Sequence, residues 1–98
     1  MAYKLTWSPT ARLDLKDLCE FIAQDDPVAA SNFAKGVFDS VERQRTFPMS
    51  GRIVPEFADP VIREVIRKPC RIVYRVKENE QRLEIARVWY AARGIPEV

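Results

Sequence analysis

VIREVIRKPCRIVYRVKENEQRLEIARVWYAAR, from Val61 to Arg93, is the stretch that decides how this chain folds. It holds three aliphatic, β-branched runs, near Val61–Arg67, Cys70–Lys77 and Arg82–Tyr90, and each carries arginines. Side chains alternate between faces along a strand. Cys70, Ile72, Tyr74 and Val76 therefore point to a core, and Arg71, Val73, Arg75 and Lys77 to the opposite face. Arg63 and Arg67 share a face with Val61 and Val65, so the alternation predicts cations gathered on one side of a sheet. Lys68-Pro69 and Lys77 to Gln81 are short enough for hairpin connections, which makes the three runs antiparallel neighbours. In the last run Leu83 and Ile85 share a parity with Arg87 and Trp89, whereas Ala86 and Val88 share one with Tyr90. Either a bulge switches the faces there, or the second face is covered by something the chain does not supply.

Working back toward residue 1, the punctuation is equally legible. Tyr3, Leu5 and Trp7 alternate with Lys4 and Thr6 as a short strand with one buried face. Ser8-Pro9 ends it and starts a helix, with the serine as N-cap and the proline in the first turn. Ala11, Leu15, Leu18, Cys19 and Ile22 form its apolar stripe, widened by Leu13 and Phe21, to about Ala23 or Gln24. Asp26-Pro27 repeats the start signal after a very short turn. The second helix buries Ala30, Phe33, Ala34, Val37, Phe38 and Val41 and ends at Phe47-Pro48. Residues 48–60 carry three prolines and Gly51, an ordered loop crossing the domain, with Glu56 inside it. The reading is a single α+β domain over residues 1–98, in the order β-α-α-β-β-β, with a helical hairpin packed on a mainly antiparallel four-stranded sheet.

Composition bounds the function. Ninety-eight residues with 47% apolar and 31% charged side chains have the balance of a soluble globular domain. The net charge of +2 hides an asymmetry: residues 1–50 carry six basic against seven acidic side chains, and residues 51–98 carry ten against seven. The cationic half is the sheet half. No apolar run is long enough for export or for crossing a membrane, and Cys19 and Cys70 read as reduced thiols on separate elements; both point to a cytoplasmic protein. With no histidine, two lone cysteines and no Gly-rich phosphate loop, no metal or cofactor is expected.

One chemistry remains open to these residues. Metal-free RNA cleavage through the 2′-hydroxyl needs a base, cations for the charge growing on the phosphate, and an acid for the leaving oxygen. Glu56 is the candidate base, Arg71 the main charge stabiliser assisted by Arg63, Arg67, Arg87 or Arg93, and Tyr90 the acid. Each has a plainer alternative: Glu56 as a solvated carboxylate or the partner of a neighbouring arginine, Arg71 and Arg75 as surface residues paired with Glu64 or Glu84 across strands, Trp89 and Tyr90 as edge-of-core aromatics.

The segments SPTARLDLKDL, DDPVAA, FPMSGRIVPEF, IREVI, CRIVYRV and IARVWYAAR, in this order and spacing, resemble the RelE/ParE superfamily of toxins from bacterial type II toxin–antitoxin modules, the plasmid-stabilisation type. The resemblance covers nearly the whole chain. It implies a cytoplasmic toxin neutralised by a cognate antitoxin whose acidic, amphipathic segment wraps it in a hetero-oligomer and covers the second, partly apolar and cationic face of the sheet. It leaves two targets. RelE-like members enter the ribosome and cut mRNA; ParE-like members inhibit DNA gyrase and are not nucleases. Arg71 matches the arginine that the nucleases place on the scissile phosphate, Glu56 resembles their glutamate base, and Tyr90 falls where several have a catalytic tyrosine. Arg63, Arg67, Arg75, Arg87, Trp89 and Arg93 then become phosphate- or partner-binding residues. Many relatives have a histidine where Trp89-Tyr90 stands, and the nucleases carry a denser basic array. The hairpin with its DL and DDP starts is more similar to ParE, so gyrase inhibition is favoured over mRNA cleavage, with an inactive antitoxin-binding relative as a third outcome. On this reading Arg71→Ala separates the two targets while leaving the fold intact.

Overall fold

The computed structural model describes residues 2–98. Its elements are β1 (Lys4–Trp7), α1 (Pro9–Asp25), α2 (Pro27–Thr46), β2 (Arg52–Ile53), β3 (Ile62–Arg67), β4 (Cys70–Lys77) and β5 (Arg82–Tyr90), with 3-10 turns at Glu78–Glu80 and Ala91–Arg93. The sheet has five strands in the order β1-β5-β4-β3-β2. That is one strand more than the sequence predicts, because Arg52 and Ile53 pair with Glu64 and Arg63 inside the proline-rich stretch. The flanking prolines, at 48 and 55, lie outside that two-residue ladder and remove no donor from it. β3, β4 and β5 are antiparallel neighbours, and β1 lies parallel to β5.

Both helix starts form as their residues dictate. The Ser8 side chain accepts from the Ala11 amide at 3.0 Å, and Asp26 accepts from Val28 and Ala29, each at 3.1 Å. Proline occupies the first turn of each helix, where its missing N–H is harmless. The hairpin covers one face of the sheet. Ala11, Phe33, Val37 and Val41 meet Cys70, Ile72, Tyr74, Val76, Leu83, Ile85 and Val88 in one core, with Leu15, Leu18, Cys19 and Ile22 partly buried at its margin. Two apolar positions on α1 do not join it: Leu13 and Phe21 are 59% and 68% exposed. On α2, Phe38 is half-exposed and stacks edge-on against Trp7, centroids 5.7 Å apart.

A bulge settles the facing of the last strand. Val73 pairs with Arg87 but Tyr74 pairs with Ile85, which leaves Ala86 as the extra residue. Leu83, Ile85 and Val88 therefore all reach the core, while Arg87 and Trp89 turn to the other face. The unpaired edge of β5 beyond β1 is closed by α1. The Ser8 hydroxyl donates to the Ala86 carbonyl at 2.9 Å, and the Asp14 carboxylate accepts from the Val88 amide at 3.1 Å.

The cations are not all on one side. Arg63 and Arg67 lie opposite Tyr74 and Cys70, and thus on the helix-covered face, because Val65 between them is the residue that packs on the core. Arg71, Arg75 and Arg87 are on the opposite face. Val73, also on that face, is fully buried, so the face is roofed by the chain itself.

Candidate functional site

The roofed face is organised by a carboxylate. Glu64, at the middle of β3, has a side chain with 0% exposure and takes Arg71 Nε at 2.6 Å on one oxygen and Arg52 Nε at 2.6 Å on the other. Burying a carboxylate this deeply is costly unless it is paired and hydrogen-bonded. The rest of the Arg71 fork engages Glu56 from the loop over the face: Nη2 to Oε1 at 2.7 Å and Nη1 to Oε2 at 2.9 Å. Arg71 is thus bracketed by two carboxylates, and only 8% of the residue is exposed.

The pairing fixes the electrostatics. Its bond to Arg71 holds the Glu56 carboxyl far below the usual carboxylate range, at about 2, and both carboxylates drive the Arg71 guanidinium further toward its charged form. Glu56 at neutral pH is therefore a weak base with both oxygens engaged.

Residues 91–97 form the second part of the roof. The Gly94 carbonyl accepts from Trp89 Nε1 at 3.1 Å and from Arg71 Nη1 at 3.4 Å, the Glu97 carbonyl accepts from Arg87 Nη1 at 3.1 Å, and Pro96 is buried. Gly94 takes φ of +85°, a conformation open to glycine at no steric cost. Trp89 lies between two guanidiniums, with Arg87 Cζ 4.8 Å and Arg93 Cζ 4.0 Å from its ring centroid. Arg87 is itself held by Asp14 through a two-bond pair at 2.8 and 3.0 Å.

Of the three candidate catalytic residues, the fold brings two together and separates the third. Glu56 and Arg71 touch. Tyr90 lies opposite Cys70 on the helix side of the sheet, 40% exposed, beside a cleft lined by Asp14, Asp17, Leu18, Val88 and Arg93. Arg63 donates to the carbonyls of Met49, Gly51 and Pro60 and so ties the loop to β3. Arg75 meets Glu84 at 3.3 Å. The cross-strand alternative for Arg71 and Arg75 thus names their partners correctly, but Arg71 is buried rather than a surface residue. For that reason Arg71→Ala does not leave the fold untouched: it takes one of its two cations from the buried Glu64 carboxylate. Sequence reasoning does not single out Arg52 or Asp14 as partners. Asp14 does carry a signal, since it falls on the face defined by Ala11, Leu15 and Leu18.

A helical hairpin packed on a mixed five-stranded sheet is the architecture implied by the resemblance to the RelE/ParE superfamily of toxins. Residues 5–95 match the family described as ParE toxin of type II toxin-antitoxin system, parDE, and the chain belongs to that family. Comparison with curated proteins returned no match. Among solved structures, a chain of the chromosomal ParDE toxin–antitoxin system from P. aeruginosa is similar at a TM-score of 0.71 and 21% identity, covering 91% of this chain and 96% of that one. A chain of the RelBE2 toxin–antitoxin complex from Mycobacterium tuberculosis is similar at 0.58 and 19% identity, covering 92% and 99%.

Proposed function

We propose that this ParE-type toxin arrests growth by inhibiting DNA gyrase and does not cut mRNA. The observation that carries the reading is the state of Arg71. Both Glu56 and Glu64 bind its guanidinium, so a scissile phosphate would have to compete with two carboxylates already in place. Tyr90, the candidate acid, lies on the other face of the sheet. A gyrase inhibitor needs none of these groups free, and a protein surface is sufficient for it. Purified protein should inhibit supercoiling by gyrase or accumulate gyrase–DNA cleavage complexes. Unimpaired supercoiling at an excess of toxin over gyrase sinks the reading.

The alternative is a ribosome-dependent endoribonuclease, favoured by the direct contact of Glu56 with Arg71. It requires translation-dependent mRNA cuts, visible by primer extension after induction, that disappear in Glu56→Gln. Normal growth despite soluble, induced protein would instead favour an inactive, antitoxin-binding relative.

A cytoplasmic antitoxin completes the reading. The two similar solved chains come from toxin–antitoxin structures, and this chain exposes an apolar groove on the helical hairpin suited to an amphipathic partner. Trp7, Leu15, Cys19, Ala34 and Phe38 line the groove, and Arg12 and Lys16 lie on it, so an acidic segment is the fitting complement. The face roofed by residues 91–97 is already occupied by the chain. The hairpin is therefore assigned to the antitoxin in place of the sheet face that the sequence favoured. Among the described residues no helix is long and apolar enough to cross a membrane.

A further inference from the structure

The arginines of β3, β4, β5 and the turn after them are held by the protein itself, with one exception. Arg63 is engaged by loop carbonyls, Arg71 by Glu56 and Glu64, Arg75 by Glu84, Arg82 by Glu80 and Arg87 by Asp14, while Arg93, without a hydrogen bond or ion pair among the described residues, stacks on the Trp89 ring and lines a cleft with the carboxylates of Asp14 and Asp17. Arg67, at the end of β3, has no hydrogen-bond or ion-pair partner among the described residues. It is positioned nonetheless. Its guanidinium lies where a Cβ on residue 36 would project, in a notch that glycine opens in the middle of α2. Glycine is a poor helix former at such a position, so the notch is a costly feature that the Arg67 side chain fills.

The cleft in front of that guanidinium, about 380 Å³, lies between α2 and β3 and is lined by Asn32, Phe33, Ile66, Arg67 and Lys68. It offers two cations and an amide, and none of the side chains lining it is a carboxylate. Phe33 is buried beneath it, which leaves Ile66 as the exposed apolar side chain of the lining. A peptide segment has far more apolar surface to grip in the groove of the hairpin. A backbone phosphate needs charge and N–H donors with no apolar cover, and a guanidinium presents its donors as a fork that fits phosphate oxygens.

We propose that this cleft is a phosphodiester site that holds the backbone of DNA. It rests on the gyrase reading for its biological setting: the toxin would grip the strand that the enzyme handles while its protein surface engages the enzyme. The interaction reads no sequence, and its strength falls with salt as counterions return to the phosphate.

The test uses the purified full chain and a fluorescent 20-base-pair duplex, followed by anisotropy from low to moderate salt. Arg67→Gln should weaken binding and reduce the slope of log affinity against log salt by about 0.9, as expected when one fewer phosphate is neutralised. Gly36→Ala changes no charge and should hold or raise the melting temperature. Its added Cβ displaces the guanidinium, so it should weaken DNA binding as well. Lys4→Gln, at the far edge of the sheet, serves as the control and should keep most of the affinity. Wild-type affinity and slope in Arg67→Gln would overturn the proposal. So would duplex binding too weak to detect together with Arg67-dependent binding of polyglutamate, which would make the cleft a carboxylate site for a protein partner. Arg67-dependent duplex binding by a protein that leaves supercoiling intact would keep the site and remove the gyrase reading; inhibited supercoiling with no duplex binding would do the reverse.

Discussion

Arg71 and Glu64 form a buried ion pair at 2.6 Å, and their substitution should show it. Arg71→Ala takes one of the two cations from buried Glu64 and leaves Arg52 as the other, so the expected loss lies below the ~3–5 kcal/mol of a buried charge left without any partner. Urea denaturation should register that loss as a lower midpoint, so reduced toxicity of this variant reports folding before it reports chemistry. Glu56→Gln is the cleaner probe, because Glu56 lies on a loop outside the sheet and is the more exposed partner. Glu56 also gives a pH signature. Its folded carboxyl titrates at about 2 against an ordinary 4.5. The stability it contributes is complete above about 4.5 and is lost as pH falls through about 2. Thermal melts between those values should lose stability on acidification in the wild type, and less so in Glu56→Gln. The sequence shows Glu56, Arg71 and Glu64 as residues with suitable charges. It does not show that all three converge, since that depends on where the loop from residue 54 lands.

At the scale of elements, the start of α1 acts as a continuation of β1. Where β1 stops at Trp7, Ser8 and Asp14 take over the hydrogen bonding of the β5 edge around the Ala86 bulge, and Asp14 also holds Arg87. Asp14 and Arg87 are 12% and 13% exposed in their side chains. Asp14→Ala therefore removes a mostly buried pair and the partner of a backbone amide, an expected loss of about 3 kcal/mol in chemical denaturation. Ser8→Ala removes a helix cap and one cross-element bond, and about 1–2 kcal/mol is expected. The helix starts are readable in the sequence because capping is local: Ser8-Pro9 and Asp26-Pro27 meet their own next turn. The two-residue strand β2 is not. Arg52 and Ile53 are in a strand only because β3 passes beside them.

For the whole molecule, the predicted phenotype follows from the placement of the faces. If gyrase is the target, Glu56→Gln and Tyr90→Phe, alone or combined, should leave growth arrest and the DNA-damage response of induced cells close to wild type. Loss of toxicity in soluble, folded Tyr90→Phe would bring the nuclease mechanism back. The sequence by itself determined the order of the elements apart from β2, both helix caps, the antiparallel trio of strands and the family. These rest on short-range stereochemistry and on alternation within single segments, which neighbours in sequence impose. Only the tertiary structure decided which cations are engaged. A guanidinium's charge is set by its residue type, but its partner is set by register, by the bulge at Ala86 and by the loops that cross the sheet. That is why Arg71, which alternation alone places as a free cation on an open face, is enclosed by Glu56 and Glu64, and why Arg67, expected among the others, stands unpaired on the notch of Gly36.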